Sequence, residues 1–118
     1  MRHKQFFALI FVIPAMMFGC SPDPNRAVIA KAEQSVKQDL KDPDSAEFSD
    51  ETVKGDPDTG TVCGRVNAKN SFGGYVGYRK FYFHPTTGKS FVEASDPADN
   101  KGLDLIWKFD CVSKGNTN

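Results

Sequence analysis

The spacing of apolar positions predicts one helix in the first third of the chain. Apolar residues recur every three or four positions there, and polar residues fill the other side; the stripe consists of Val28, Ile29, Ala32, Val36 and Leu40. Asp23 followed by Pro24 is typical of a helix start, because an aspartate accepts a hydrogen bond at the N-cap and proline suits the first turn. We predict an amphipathic helix of about four turns that packs on a sheet and ends at Asp42-Pro43.

The apolar period shortens to about two residues after Pro43, which is typical of strands. Extended segments are predicted at residues 46–53, 61–67, 75–84, 89–94 and 106–112. Turn-forming residues separate them, most densely at residues 55–60 and 85–88. The predicted fold class is α+β, with the N-terminal amphipathic helix on an antiparallel sheet of four or five strands. We predict a single domain at residues 25–113, followed by a flexible tail at residues 114–118.

Residues 1–19 have the pattern of a targeting segment. Arg2 and Lys4 precede an uncharged apolar run at residues 6–19, which Pro14 interrupts. As a helix the run is about 21 Å long, shorter than the roughly 30 Å of a bilayer core. A signal peptide is therefore predicted rather than a membrane-spanning anchor.

The end of the apolar run, Met17-Phe18-Gly19-Cys20, resembles the lipobox of bacterial lipoproteins. The resemblance implies cleavage before Cys20, diacylglycerol on its sulfur and a lipidated tether at residues 20–24. Acyl chains anchor a protein by about 0.8 kcal/mol for each buried methylene. Ser21 after the cysteine implies the outer membrane, and we expect the periplasmic face. The alternative from the residues alone is an ordinary secretory signal that is cleaved nearby.

The charge balance argues against a nucleic-acid partner. The 118 residues include 15 basic and 15 acidic side chains, and loss of Arg2 and Lys4 with the signal peptide leaves a net charge of about −2. Such a surface does not attract phosphate backbones. The length fits a single small domain.

Cys63 and Cys111 are the two cysteines that remain once Cys20 is lipidated. Exported proteins fold in an oxidising compartment, so we predict a disulfide between them that links the second strand to the last. The alternative is a metal-binding or nucleophilic cysteine. His84 is the one histidine beyond residue 19, too few for a zinc site, and neither a metal nor another cofactor is predicted.

Catalytic motifs do not occur in the sequence. The chain has neither G-x-S-x-G nor H-E-x-x-H, and the acidic segments at residues 56–60 and 96–100 lack the closing glutamate of a calcium loop. A carboxylate pair such as Glu47 and Asp50 requires a pocket to act. We therefore predict that the protein is not an enzyme.

Residues 67–78, NAKNSFGGYVGY, combine amides, glycines and aromatics between two predicted strands. Aromatic side chains give a large contact area at low entropic cost, so the segment is a candidate recognition surface. The candidate partner-binding residues are Asn67, Lys69, Asn70, Phe72, Tyr75 and Tyr78. The alternative is a long hairpin or bulge whose aromatics fold onto the sheet.

Residues 40–48 and 62–75, together with Phe81, resemble a pattern that recurs in small exported proteins of bacteria and their prophages. The resemblance covers about half of the chain beyond the signal peptide. It implies a shared fold and a loop of defined sequence, and it supplies no activity.

The leading hypothesis is a small membrane-anchored lipoprotein that acts as a non-catalytic binding module for a protein partner in the cell envelope. The prophage resemblance adds two specific versions, a factor that blocks an envelope receptor and an inhibitor of a cell-wall hydrolase. The alternative is a structural envelope lipoprotein without a discrete ligand.

Overall fold

The computed structural model describes residues 19–112. Its regular elements are α1 (Pro24–Gln38), β1 (Glu47–Lys54), β2 (Thr61–Asn67), β3 (Arg79–His84), β4 (Lys89–Val92) and α2 (Lys101–Ile106). Single 3₁₀ turns occupy Pro43–Ser45 and Pro97–Asn100, and a π-helical segment, Trp107–Val112, continues α2. The predicted signal peptide, up to Phe18 of the lipobox, and the predicted tail lie outside the described residues.

The strands form one antiparallel sheet in the order β1-β2-β3-β4. The predicted α+β class and antiparallel sheet are confirmed with four strands, and the five-stranded version is wrong. The predicted strand at residues 61–67 coincides with β2. β3 begins at Arg79 rather than at the predicted residue 75, because Gly77 adopts a positive φ angle of 96° that interrupts an extended strand.

α1 begins where the sequence predicts it. The Asp23 carboxylate accepts a hydrogen bond from the Asn25 N–H at 3.0 Å, and Pro24 is the first helical residue. The helix ends at Gln38, before the predicted Asp42-Pro43, and the latter pair instead opens the first 3₁₀ turn. Helix α1 is the first element of the described residues, at positions 24–38 of the chain.

The main core lies between α1 and one face of the sheet. Its buried members are Val28, Ala32, Val36, Leu40, Val62, Val66, Ala68, Phe81 and Phe83. Phe81 sits directly against Gly64, where an added Cβ atom would come within 2.7 Å of the Phe81 ring. Burial of each large apolar side chain contributes roughly 1.5–3 kcal/mol, so this layer holds the helix on the sheet.

The predicted last strand at residues 106–112 is wrong, because these residues are helical. Alternating polar and apolar residues suggested a strand, but Leu103 and Cys111 lie eight positions apart and are both buried against Cys63 and Tyr82. Residues eight positions apart also share a face in a strand, so this spacing alone does not distinguish a helix from a strand. A short apolar segment at a chain end is ambiguous between the two periods.

The predicted Cys63–Cys111 disulfide is present, with a Cα–Cα distance of 5.9 Å. It joins β2 to the π-helical segment rather than to another strand. The second, smaller cluster forms around it on the face of the sheet opposite α1. The disulfide therefore fastens the C-terminal helical segment onto the sheet.

Replacing both Cys63 and Cys111 by alanine is expected to lower the free energy of unfolding by about 4 kcal/mol, from the chain entropy of the closed loop. Urea denaturation measures this loss. Hydrogen exchange should show residues 101–112 losing protection before β2 and β3. Cys20→Ala is the control and should leave both measurements unchanged, because Cys20 is exposed. If residues 101–112 were as well protected from exchange in the double variant as in the unsubstituted protein, the role given to the disulfide would be contradicted.

Candidate functional site

The segment between β2 and β3, residues 67–78, forms a narrow loop that we call the amide–aromatic loop. Lys69 and Tyr75 make an isolated antiparallel bridge. Beyond them the chain reverses through a turn in which the Asn70 N–H donates to the Gly74 carbonyl at 2.9 Å. The Asn70 side-chain oxygen accepts the N–H groups of Phe72 and Gly74 at 3.0 and 3.1 Å. One asparagine thus organises the tip of the loop.

The base of the loop is tied to the 3₁₀ turn at Pro43–Ser45. The Ser45 hydroxyl accepts the Lys69 N–H at 2.8 Å, and the Tyr75 hydroxyl donates to the Ser45 carbonyl at 3.1 Å. The Asn67 side-chain oxygen accepts the Gly77 N–H at 3.0 Å. Ser45 was not among the predicted site residues. The only signal for Ser45 in the sequence was its place within residues 40–48, one of the two segments whose pattern was singled out above.

The predicted candidates divide into two groups. The side-chain oxygens of Asn67 and Asn70 bond to the loop's own backbone, so these two residues shape the loop. Aromatic side chains point to solvent: Phe72 is 97% exposed, Tyr75 47% and Tyr78 48%. Val76, which was not among the predicted candidates, is 51% exposed. We use the name aromatic face for the exposed surface that Phe72, Tyr75, Val76 and Tyr78 contribute to the loop.

Lys69 and Tyr75 interact across the bridge. The Lys69 ammonium lies 5.6 Å from the centroid of the Tyr75 ring, within reach of a cation–π contact. Desolvation raises the pKa of Tyr75 above its ordinary value, and the nearby Glu47 carboxylate raises that pKa further. The Tyr75 phenol therefore stays neutral and keeps its role as a hydrogen-bond donor.

A shallow cavity of about 240 Å³ lies at the base of the loop, beside the end of α1. Three basic side chains and one acidic side chain border it: Lys41, Lys69, Arg79 and Asp39. An Arg79 guanidinium nitrogen donates to the Glu93 carbonyl at 3.2 Å, which positions the side chain. The cavity adjoins the aromatic face through Val76 and carries a local excess of positive charge.

The remaining candidates for chemistry lie apart from one another. Glu47 faces Tyr75, whereas Asp50 lies 3.9 Å from Arg65, so the two carboxylates do not converge on a common pocket. His84 lies against Thr61 and the Tyr82 ring. Between residues 19 and 112 no three His, Cys, Asp or Glu side chains are grouped to hold a metal ion.

Glu33 of α1 and Glu51 of β1 form a carboxyl pair away from the loop. A bulge between Ser49 and Thr52, with Asp50 at a φ of 54°, interrupts the β1 register where Glu51 lies. Burial and, secondarily, the Glu33 charge raise the pKa of Glu51 from 4.5 to about 7. Since the folded protein holds this proton more tightly than the unfolded chain, the resulting stability is complete below pH about 4.5 and is lost as the pH rises through about 7.

No protein family, curated protein or solved structure matches the chain. Within residues 19–112, every helix is too short or too polar to cross a bilayer.

Asn70→Ala is expected to remove the two hydrogen bonds at the loop tip and lower the free energy of unfolding by about 1 kcal/mol. Hydrogen exchange of the Phe72 and Gly74 amides should accelerate, whereas exchange within β2 should stay slow. Phe72→Ala is the matched control, because its side chain is almost fully exposed and its removal should leave the amides protected. Unchanged exchange in Asn70→Ala would refute the capping role.

Glu51→Gln is expected to stabilise the protein at pH 8 by about 1 kcal/mol, a modest value because water screens a half-buried pair. At pH 4, where Glu51 is already neutral, the substitution should have no effect. Thermal unfolding across this pH range measures the difference. Asp58→Asn, a change at an exposed turn, should leave the pH profile as it is. A profile for Glu51→Gln parallel to that of the unsubstituted protein would contradict the assignment.

Proposed function

We propose that the protein is a lipid-anchored binding module that engages a protein partner through the amide–aromatic loop. The observation that carries the proposal is the 97% exposure of Phe72 at the tip of a loop held by its own hydrogen bonds. An exposed aromatic on a preformed turn loses little entropy on binding, and aromatic residues dominate the energetic centres of protein interfaces. No catalytic role is proposed.

The position of the loop relative to Cys20 supports this function. Cys20 lies four residues before α1, whose first turns border a cavity with Pro57 and Pro85. The loop lies at the other end of α1, where Asp39 and Leu40 border the cavity at the loop base. Fifteen helical residues span about 22 Å, so an acyl group on Cys20 leaves the loop free.

The partner's surface should complement both the aromatic face and the adjoining cavity. Phe72 and Tyr78 require an apolar recess, and the excess of basic groups at the cavity favours an acidic rim. Blocking of an envelope receptor and inhibition of a cell-wall hydrolase are two forms that such binding takes. The proposed location is the periplasmic face of the outer membrane, through acyl chains on Cys20.

Cys20→Ala is expected to abolish incorporation of radiolabelled palmitate and leave the protein at its precursor mass. Cell fractionation and intact-mass measurement of protein from native cells check the expectation. Cys111→Ala is the control: it removes a different cysteine and should still be acylated. Palmitate incorporation by Cys20→Ala would refute the proposed attachment site.

Phe72→Ala and Tyr78→Ala are expected to abolish crosslinking to one dominant envelope protein in intact cells, with melting temperatures unchanged. Crosslinking followed by mass spectrometry provides the readout. Leu105→Ala is the matched control, because Leu105 is another exposed apolar residue, at 57%, on α2. Crosslinks that survive both loop substitutions, or that spread over many proteins with none dominant, would favour a structural envelope role.

A further inference from the structure

We propose that the free edge of β4 pairs with β4 of a second copy, so that two four-stranded sheets join into one continuous antiparallel sheet. β4 is the last strand in the order β1-β2-β3-β4, and within residues 19–112 no further strand pairs with it. An unpaired edge presents backbone donors and acceptors that another strand satisfies. This inference goes beyond the proposed function and does not depend on it.

The hydrogen-bond alternation identifies which groups face outward. The Glu93 N–H donates to the Lys80 carbonyl at 2.8 Å, and the Lys80 N–H donates to the Glu93 carboxylate at 3.0 Å, so the Glu93 N–H faces β3. Phe91 lies two residues before Glu93 and opposite Tyr82. Because backbone groups alternate in direction along a strand, the N–H and C=O groups of Phe91 also face β3. The N–H and C=O groups of Ser90 and Val92 therefore face the free edge.

A pairing of the two β4 strands about a two-fold axis uses all of the outward N–H and C=O groups of Ser90 and Val92. With Phe91 on the axis, Ser90 of one copy lies opposite Val92 of the other, and four backbone hydrogen bonds form between the copies. Phe91 then faces Phe91 of the second copy as a non-hydrogen-bonded pair, in which side chains approach closely. Lys89 lies opposite Glu93 of the second copy, whose carboxylate is also 3.7 Å from the Lys80 ammonium of its own copy, so charges of opposite sign flank the axis on both sides.

The side chains fit this register on both faces of the sheet. Phe91 stacks on Tyr82 with ring centroids 5.0 Å apart and is still 48% exposed, so a second Phe91 extends an existing aromatic row. On the α1 face a cavity of about 350 Å³ borders β4, lined by Ser35, Gln38, Ser90 and their neighbours. It offers space for Val92 of the second copy, which points to the same face as Ser90.

The other edge of the sheet lacks these properties. β1 carries the bulge between Ser49 and Thr52, with Asp50 in a left-handed conformation, and such irregularities blunt an edge. β4 pairs with β3 without a register shift. Because β4 has four residues, the interface is small, and we expect a weak dimer that forms at high protein concentration.

Antiparallel pairing places the two Cys20 ends at opposite ends of the joined sheet. Both tethers reach one bilayer when the joined sheet lies along its surface. Each amide–aromatic loop then lies at an end of the joined sheet, away from the β4 edge.

The first test places a cysteine on the two-fold axis. Phe91→Cys in the full chain, purified in mild detergent, should form a disulfide-linked dimer on mild oxidation, because a non-hydrogen-bonded pair has a Cα–Cα distance of about 4.5 Å. Thr86→Cys, on the exposed turn before β4, should not crosslink. The unsubstituted chain is a second control, because any dimer that it forms on oxidation must be linked through Cys20. Equal crosslinking at Phe91 and Thr86 positions, or none at either, would overturn the proposal.

The second test removes one outward donor without disturbing β3. Ser90→Pro deletes the N–H that faces the second copy, and proline is tolerated on an edge strand. Ser90→Ala is the matched control, since it also loses the 2.8 Å contact between the Ser90 and Ser35 hydroxyls but keeps the N–H. Sedimentation equilibrium over a range of protein concentrations should show the average mass rising from monomer toward dimer for the unsubstituted chain and Ser90→Ala, and monomer at every concentration for Ser90→Pro. Monomer for all three, or dimer for all three, would refute the proposal and leave the loop's proposed function untouched.

Discussion

β2 is buried on both faces, and the other elements are arranged around it. Val62, Gly64 and Val66 contact the α1 layer, whereas Cys63 between them points to the opposite face and bonds to Cys111. A strand covered on both sides loses its register only if both layers separate. Gly64 is essential to this arrangement, because Phe81 occupies the space that a side chain there would need. The two hydrophobic layers thereby stabilise one strand together.

The amide–aromatic loop follows directly from the end of this rigid strand. Asn67 is the last residue of β2, and its side chain already bonds to Gly77 on the returning segment. Ser45 holds the loop from the other side through Lys69 and Tyr75. Backbone and amide groups satisfy one another within the loop, so Phe72 needs no packing of its own and remains exposed. A rigid support and an exposed aromatic are the combination that binding surfaces require.

Charged groups connect the layers away from the loop. Lys80 of β3 lies 3.7 Å from Glu93 and 3.2 Å from Asp104, so one ammonium links β3 to the segment after β4 and to α2. Exposed pairs of this kind contribute little individually, about 0–1 kcal/mol. Glu51 lowers stability at high pH, because burial and then the Glu33 charge raise the pKa of its carboxyl group and oppose its ionisation. This effect on stability depends on pH, whereas that of the hydrophobic layers does not.

The sequence by itself determined α1, β2 and the cysteine pairing. Asp23-Pro24 and a single apolar stripe predicted the helix start, and Val62, Gly64 and Val66 at alternate positions predicted the strand. Two cysteines remain once Cys20 is set aside, and they allow one pair. It also located the loop by composition. These features depend on neighbours in the chain or on counting, so no knowledge of distant contacts was needed.

Tertiary structure alone decided the C-terminal segment and the roles within the loop. Residues 106–112 fit either period, and only the folded structure shows that they are helical, with Leu103 and Cys111 both buried in the cluster that contains Cys63. The sequence does not distinguish Asn67 and Asn70 from asparagines that are free to bind a partner. Only the folded structure shows that their side-chain oxygens already accept hydrogen bonds from the loop backbone. Ser45, the Glu33–Glu51 pair and the free β4 edge arise from segments brought together by folding, and such long-range proximity leaves no periodic signal in a single sequence.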